Sequence, residues 1–148
     1  MARFNFRLAS LLKLRVHARE ARQTELAAAL RRLTLIEQAR REVQDELGQL
    51  ETQMRASKRG STIDVDRLLD GHRYQLALAA RVAELSKAMG EAQVEVQRCR
   101  LKLVEADRDV KVLEKLHEQQ LDEHRRSLEQ HEMKQLDETA VQRAVRKA

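Results

Sequence analysis

The chain has 148 residues, and although 42% of them are hydrophobic, only Phe4, Phe6 and Tyr74 are aromatic. A compact globule of this length usually needs bulkier core side chains, whereas the lack of proline and the presence of only four glycines are typical of long helices. The single cysteine, Cys99, rules out an intramolecular disulfide, and no stretch approaches the roughly 18 apolar residues of a membrane span. We therefore expect an all-α protein of the cytosol without an integral membrane segment.

The first residues account for the net positive charge. Six basic residues and one acid, Glu20, lie between Arg3 and Arg22, and the formal net charge of the whole chain is +5. Lys13 and Arg15 interrupt the apolar run of this segment, so it makes a poor signal peptide. The basic excess suits an acidic protein partner, lipid headgroups or nucleic acid, and a solvated helix face explains it equally well.

The first predicted element is a helix at about residues 4–57. Its apolar residues recur at steps of three and four, which is the pattern of a helix that packs along one face. One irregular step near Ile36 and Arg40 should perturb the supercoil locally. The members of this first seam are Leu26, Leu30, Leu33, Ile36, Val43, Leu47, Leu50 and Met54.

A turn is predicted at about residues 58–62, where the sequence reads KRGST. Gly60 can take the left-handed conformation that ends a helix, and Ser61 or Thr62 can cap the next helix, with Asp64 completing a capping box. A short loop between two long helices makes them antiparallel neighbours.

The third predicted element is a helix at about residues 63–145. A regular apolar seam of this length is typical of a coiled coil and must pack against another helix. We predict one domain over residues 1–148, a long antiparallel two-helix coiled coil in the form of a helical hairpin. The members of this second seam are Leu78, Val82, Leu85, Met89, Ala92, Val96, Cys99, Leu103, Ala106, Val110 and Leu113.

A helical overhang is predicted at the C-terminal end. Folding the chain near residue 60 pairs the first helix with the second only as far as about Leu116. Residues 117–148 then extend beyond the first helix, and they would project on the order of 45 Å if helical throughout. Such a stripe can dock reversibly into a partner, and weak self-association is the alternative.

His117, His124 and His131 recur at every seventh position of this overhang. Helical residues that share a metal ion lie three or four positions apart, whereas seven residues span roughly 10 Å. We therefore predict no metal site and read the histidines as a half-solvated stripe that alternates with Leu121 and Leu128. A pH-sensing role is the open alternative.

Catalytic and cofactor-binding patterns are missing from the sequence. It contains no Gly-rich phosphate loop, no buried carboxylate pair and no Ser-His-Asp arrangement, so we predict neither enzyme activity nor a cofactor. Cys99 occupies a seam position and is read as core packing. The basic N-terminal segment lacks the interleaved aromatic residues on which bases stack, so nucleic acid is a less favoured partner.

The stretches FNFRLASLLKLR and LDETAVQRAVRK, at the two ends of the chain, resemble those of the flagellar export protein FliJ family. The N-terminal stretch FNFRLASLLKLR, from Phe4 to Arg15, is similar to the opening of that family, and LDETAVQRAVRK, from Leu136 to Lys147, is similar to its ending. The resemblance implies a cytoplasmic antiparallel two-helix rod, similar to the central stalk of rotary ATPases, at the cytoplasmic face of the inner membrane. Its joined termini would enter the pore of the hexameric export ATPase, and its turn would reach the membrane export gate.

The function that this resemblance implies is coupling of ATP hydrolysis to export and escort of export chaperones. It also implies two sets of partner-binding residues. The gate-facing set is Tyr74 and Leu78. The ATPase-facing set is Arg3, Arg7, Arg15, Leu121, Leu128, Asp137, Glu138 and Arg143. The alternatives are a stalk protein of a virulence-type secretion system and a basic coiled coil that binds nucleic acid.

Overall fold

Two long helices make up most of the chain. The computed structural model describes residues 3–60 and 62–148, and its helices are α1, Ala9–Lys58, and α2, Val65–Lys147. No strand occurs in these two described ranges, so the all-α prediction is confirmed. The predicted cap at Ser61 lies outside the described residues.

Helix α1 begins later than its predicted start near residue 4. Residues 3–6 are not helical, and the N–H of Ala9 donates a hydrogen bond to the carbonyl of Phe6 over 3.2 Å. The N–H of Leu12 then donates to the carbonyl of Leu8 over 2.9 Å, which is the first helical spacing of four residues. The segment that contains both phenylalanines is therefore a non-helical lead into α1.

The cap of α2 is Asp64, whereas the sequence favoured Ser61 or Thr62. The Asp64 Oδ1 atom accepts hydrogen bonds from the N–H groups of Asp66 at 3.1 Å and Arg67 at 3.3 Å. These are the second and third residues of α2, so the carboxylate satisfies N–H groups that the helix itself leaves unpaired. Gly60 does not adopt the predicted left-handed conformation, because no glycine of the described residues has a positive φ.

By internal packing the chain divides into two units. Unit 1 contains the residues up to Glu20 together with Val104–Ala148, and unit 2 contains Ala21–Leu103. Both helices contribute residues to both units.

In unit 2 the two helical segments run antiparallel. Arg40 of α1 contacts Met89 of α2, and Met54 contacts Gly71, so the partner residues descend along α2 as they ascend along α1. The predicted antiparallel pairing is confirmed for this unit. These partners lie a few residues later in α2 than a fold at residue 60 predicts, because the connection continues to Asp64 before α2 begins.

Unit 1 is also an antiparallel pair. The guanidinium of Arg15 lies 3.4 Å from Asp109, and that of Arg19 lies 3.3 Å from Asp107.

The seam of α2 is confirmed, since its buried members are at most 8% exposed, and Val110 in unit 1 is fully buried. No described residue of α1 is buried to the same degree. The buried seam residues of α2 are Leu78, Leu85, Ala92, Val96, Cys99, Val110 and Leu113.

The glycines of unit 2 offer a stability test. A Cβ atom added to Gly48 would meet no atom within 4 Å, whereas one added to Gly71 would lie 3.3 Å from the Met54 sulfur. Folding the chain at residue 60 brings Gly48 and Gly71 almost opposite each other, but the open space at Gly48 shows that this glycine is not needed for a close approach of the helices. We expect Gly48→Ala to stabilise the protein by about 0.5–1 kcal/mol, because alanine favours the helix. Urea denaturation followed by circular dichroism would measure the change, and a loss of stability would contradict it.

Candidate interaction surfaces

The most specific contacts of unit 1 join the non-helical lead to α2. The Phe4 ring lies 5.5 Å from the rings of both His117 and His124, and the Phe6 ring lies 4.9 Å from His117 in an edge-to-face arrangement. Phe6 is only 6% exposed. Aromatic pairs with these centroid distances add to the stability that burial alone provides. The lead therefore covers a part of α2 that was expected to lie beyond α1.

The exposed part of the predicted overhang is its C-terminal end. Leu121 and Leu128 are half-buried, whereas every residue from Glu129 to Ala148 is exposed. Residues 117–148 were predicted to extend beyond the first helix, and the contacts to His117 and His124 come from Phe4 and Phe6, which precede α1. The part of this extension without such cover is residues 129–148.

The three histidines do not share one environment. His117 and His124 are half-buried against the phenylalanines, whereas His131 is exposed and hydrogen-bonds to Gln135 over 3.2 Å. In the described part of the chain, no group of three His, Cys, Asp or Glu side chains is placed to hold a metal ion. The ring contacts could have been anticipated, since folding the chain near residue 60 already brings the N-terminal phenylalanines close to His117.

A small ion-pair network around Asp107 also lies in unit 1. The Asp107 carboxylate accepts from Lys111 at 2.8 Å and from Arg19 at 3.3 Å. The hydrogen bond from Lys111 is the main reason why the pKa of Asp107 lies below its ordinary value, and Arg19 acts in the same direction against the effect of burial. The Arg15 guanidinium forms a separate ion pair with Asp109.

The lowered pKa of Asp107 predicts a pH effect on stability. A carboxyl group whose pKa is lower in the folded state stabilises the fold above its unfolded pKa, and this contribution disappears as the pH falls through the folded value. We expect Asp107→Asn to be less stable than the parent at pH 7, with the difference shrinking below about pH 4. Thermal unfolding at both pH values would measure it. A difference that grew in acid would contradict the assignment.

Cys99 is buried in unit 2 and makes no metal or disulfide contact. Burial raises the pKa of the Cys99 thiol, and the nearby negative charge of Glu95 raises it further. A thiol with a raised pKa is a poor nucleophile near neutral pH. This agrees with the interpretation of Cys99 as a packing residue.

Tyr74 and Leu78, the predicted gate-facing residues, differ in exposure. Tyr74 is 47% exposed and its hydroxyl donates a hydrogen bond to the Glu46 carboxylate. That hydrogen bond is the main cause of the raised pKa of Tyr74. Leu78 is only 7% exposed and belongs to the α2 seam. Only the tyrosine ring therefore presents a surface to a partner.

The predicted ATPase-facing residues also fall into different groups. Those at the two chain ends are exposed, whereas Leu121 and Leu128 are half-buried and Arg15 is held by Asp109. All of them belong to unit 1. The exposed members are Arg3, Arg7, Asp137, Glu138 and Arg143.

Residues 129–148 are the longest uninterrupted run of exposed residues in the described part of unit 1. They are helical as far as Lys147 and combine charged side chains with large exposed apolar ones, among them Met133 and Leu136. The charged positions Asp137, Glu138 and Arg143 of this segment were predicted to bind a partner, whereas Met133 and the valines were not. Their spacing at three or four residues was the available signal.

Neither of the two described helices is long and apolar enough to cross a bilayer.

Searches of curated proteins and of solved structures each returned no match to this chain. Residues 4–148 match the family described as Flagellar FliJ protein, which covers both the phenylalanine-containing lead and the exposed tail. Proteins of this family are non-catalytic components of flagellar export. With two antiparallel helical units and this match over nearly its whole length, the chain belongs to the flagellar FliJ protein family.

Proposed function

We propose that this protein is a stalk component of the flagellar export apparatus that couples the hexameric export ATPase to the membrane export gate. In this role it performs no chemistry and escorts export chaperones. It acts in the cytoplasm, peripherally associated with the cytoplasmic face of the inner membrane. The observation that carries the proposal is the fully exposed helical tail of residues 129–148 in a chain that belongs to a flagellar export family.

The exposed ends of unit 1 support an ATPase-facing role. Arg3 and Arg7 at one end, and Asp137, Glu138 and Arg143 at the other, offer charges of both signs to the wall of a pore. Exposed charges speed association and orient the partner more than they add affinity, and salt screens them. We therefore expect the interaction with the ATPase to weaken as ionic strength rises.

The partly buried members of the ATPase-facing set have a supporting role in this proposal. Leu121 and Leu128 are half-buried on the face of α2 that also carries His117 and His124, and Arg15 is paired with Asp109. Their packing and pairing hold the helices of unit 1 together. The free tail can then present its charges from a rigid base.

Unit 2 supplies the proposed gate contact. The exposed Tyr74 ring is amphipathic, with an apolar face and a hydroxyl that already bonds to Glu46. Leu78, one turn further along α2, is buried and fixes this part of the helix against α1. We assign the contact to Tyr74 and the support to Leu78.

The test measures ATP hydrolysis by the purified export ATPase with and without this protein. The full chain should raise hydrolysis or the fraction of hexamer, and a truncation that lacks residues 129–148 should lose this effect while keeping its helical circular dichroism. The matched control is Tyr74→Ala, which should stimulate the ATPase normally and bind the isolated gate protein less well. Full stimulation by the truncated chain would contradict the assignment of the tail.

A further inference from the structure

The exposed tail carries an apolar stripe that no described residue of its own chain covers. Its larger members are 61–69% exposed, although they recur at the spacing of a packed helix face. A stripe of this kind on a soluble helix normally meets another helix. The members are Met133, Leu136, Ala140, Val141, Ala144 and Val145.

This stripe is not a continuation of the packed face of α2. Leu121 and Leu128 are half-buried on the side that faces the rest of unit 1. Met133 and Ala140 follow Leu128 by five and twelve residues, which turns them about 120–140° around the helix axis. A segment packed on Leu128 therefore leaves the stripe uncovered, and none of the described residues of the same chain occupies it.

The charges beside the stripe fit a second copy of the same tail. Glu129 and Glu132 lie near the start of the stripe, and Arg146 and Lys147 lie near its end. An antiparallel second copy places the acidic part of each tail beside the basic part of the other. A parallel copy instead places Glu132 beside Asp137, and like charges at such positions oppose pairing.

Small residues at the middle of the stripe fit the same arrangement. When Ala140 of one copy faces Ala140 of the other, Leu136 lies opposite Ala144 of the second copy. A large side chain then meets a small one on both sides of the two-fold axis, as an isologous interface requires. Alanine at the axis also allows the two helices to approach closely.

We propose that residues 129–148 form an antiparallel homodimer contact, with a second copy of this chain as the occupant of the stripe. The side chains involved would bury on the order of 1,000 Å² in total, which is at the lower end for specific interfaces. We expect a weak, reversible dimer and take a Kd of about 10–100 µM as the value to be tested. The proposal does not rest on the export function.

The first test is sedimentation velocity of the full chain from about 2 to 200 µM, a range that brackets the expected Kd. The parent should shift from monomer to dimer over this range. Leu136→Asp should weaken the association at least tenfold, and the matched control Val94→Asp, at an exposed valine of unit 2, should not change it. A chain that stays monomeric throughout, or an equal effect of both variants, would overturn the proposal.

Charge reversal tests the antiparallel pairing. Glu132→Lys alone, and Arg146→Glu with Lys147→Glu alone, should each weaken dimerisation severalfold, because each creates like charges across the interface. The variant that combines all three changes should regain the parental Kd. Failure of the combined variant to recover would overturn the pairing of these residues.

Disulfide trapping distinguishes the two orientations. In a Cys99→Ala background, Ala140→Cys should form a covalent dimer on mild oxidation, whereas Met133→Cys should not. Antiparallel copies separate the two Met133 positions by about 20 Å along the axis, far beyond disulfide reach. Equal trapping at both positions would show a parallel dimer and contradict the orientation.

Discussion

Val110→Asp should destabilise the protein by more than about 3 kcal/mol, the largest effect that we expect from any single substitution in unit 1. Val110 is fully buried, so an aspartate there must either leave its carboxylate without water or force α1 and α2 apart. Urea denaturation followed by circular dichroism at neutral pH would measure the loss.

The matched control is Val112→Asp, two residues further along the same helix. Val112 is 66% exposed, and valine and aspartate have similar helix propensities, so this variant should change the free energy of unfolding by about 0.5 kcal/mol or less. The same chemical change is thus made on the buried and on the exposed side of α2. Similar losses in the two variants would contradict the packing described for unit 1.

Phe6→Ala should release the N-terminal lead from α2. Phe6 is 6% exposed and packs edge-on against His117, and truncation of a buried phenylalanine costs about 3–5 kcal/mol where the surroundings cannot collapse. Residues 3–6 are not held by helical hydrogen bonds, so the lead can detach while the helices remain folded. The loss in global stability is therefore limited to what the docked lead contributes.

Nuclear magnetic resonance of the histidine rings would detect this release. In the parent, the ring-proton shifts of His117 should differ from those of the exposed His131 because of the Phe6 ring, and in Phe6→Ala they should approach them. Phe4→Ala serves as the comparison and should have a smaller effect, because Phe4 is only half-buried. An unchanged His117 spectrum in Phe6→Ala would contradict the contact.

The docked lead changes how the C-terminal residues can act. If the whole of residues 117–148 were bare, His117, Leu121 and Leu128 would be available to a partner at once. In the structure a partner that needs this face must first displace Phe4 and Phe6. The tail from Glu129 onward meets no such obstacle, which is why both the proposed ATPase contact and the proposed self-association are placed there.

The two proposals for the tail can be separated by experiment. A variant with charge reversal at Glu132, Arg146 and Lys147 together should dimerise like the parent, because both copies carry the reversed charges. The pore wall of the ATPase keeps its own charges, so this variant should still bind the ATPase less well. Leu136→Asp should weaken the dimer and need not affect a contact made by Asp137, Glu138 and Arg143. An ATPase that is stimulated by a chain unable to dimerise would support the export function without the dimer.

Much of the fold could be predicted from periodicity because helix pairing depends on a repeat that the sequence displays directly. Periodicity identified each residue of the α2 seam from Leu78 to Leu113, and the buried residues of α2 belong to this seam. The absence of proline, together with a break near residue 60, was enough to predict two antiparallel helices. These features are local in the sequence, or repeat along it, so no tertiary knowledge was needed.

The capping residue of α2 and the extent of the exposed tail could not be predicted from periodicity, because each depends on a choice between several local alternatives. Ser61, Thr62 and Asp64 are all good capping residues, and the start of α2 at Val65 selects Asp64. Likewise, residues 4–8 are compatible with a helix, but burial of Phe6 against His117 favours a non-helical lead. A hydrophobic contact between residues more than a hundred positions apart outweighs a weak local preference.

By itself, the sequence determined the all-α class, the two seams, the antiparallel pairing and the resemblance to the flagellar FliJ family. Only the tertiary structure decided where the bare part of α2 begins, which histidines are covered, and that Leu78 is buried while Tyr74 is exposed. The physical reason is that periodicity reports which face of a helix is apolar. Which molecule covers that face, and for how many turns, depends on contacts between distant residues.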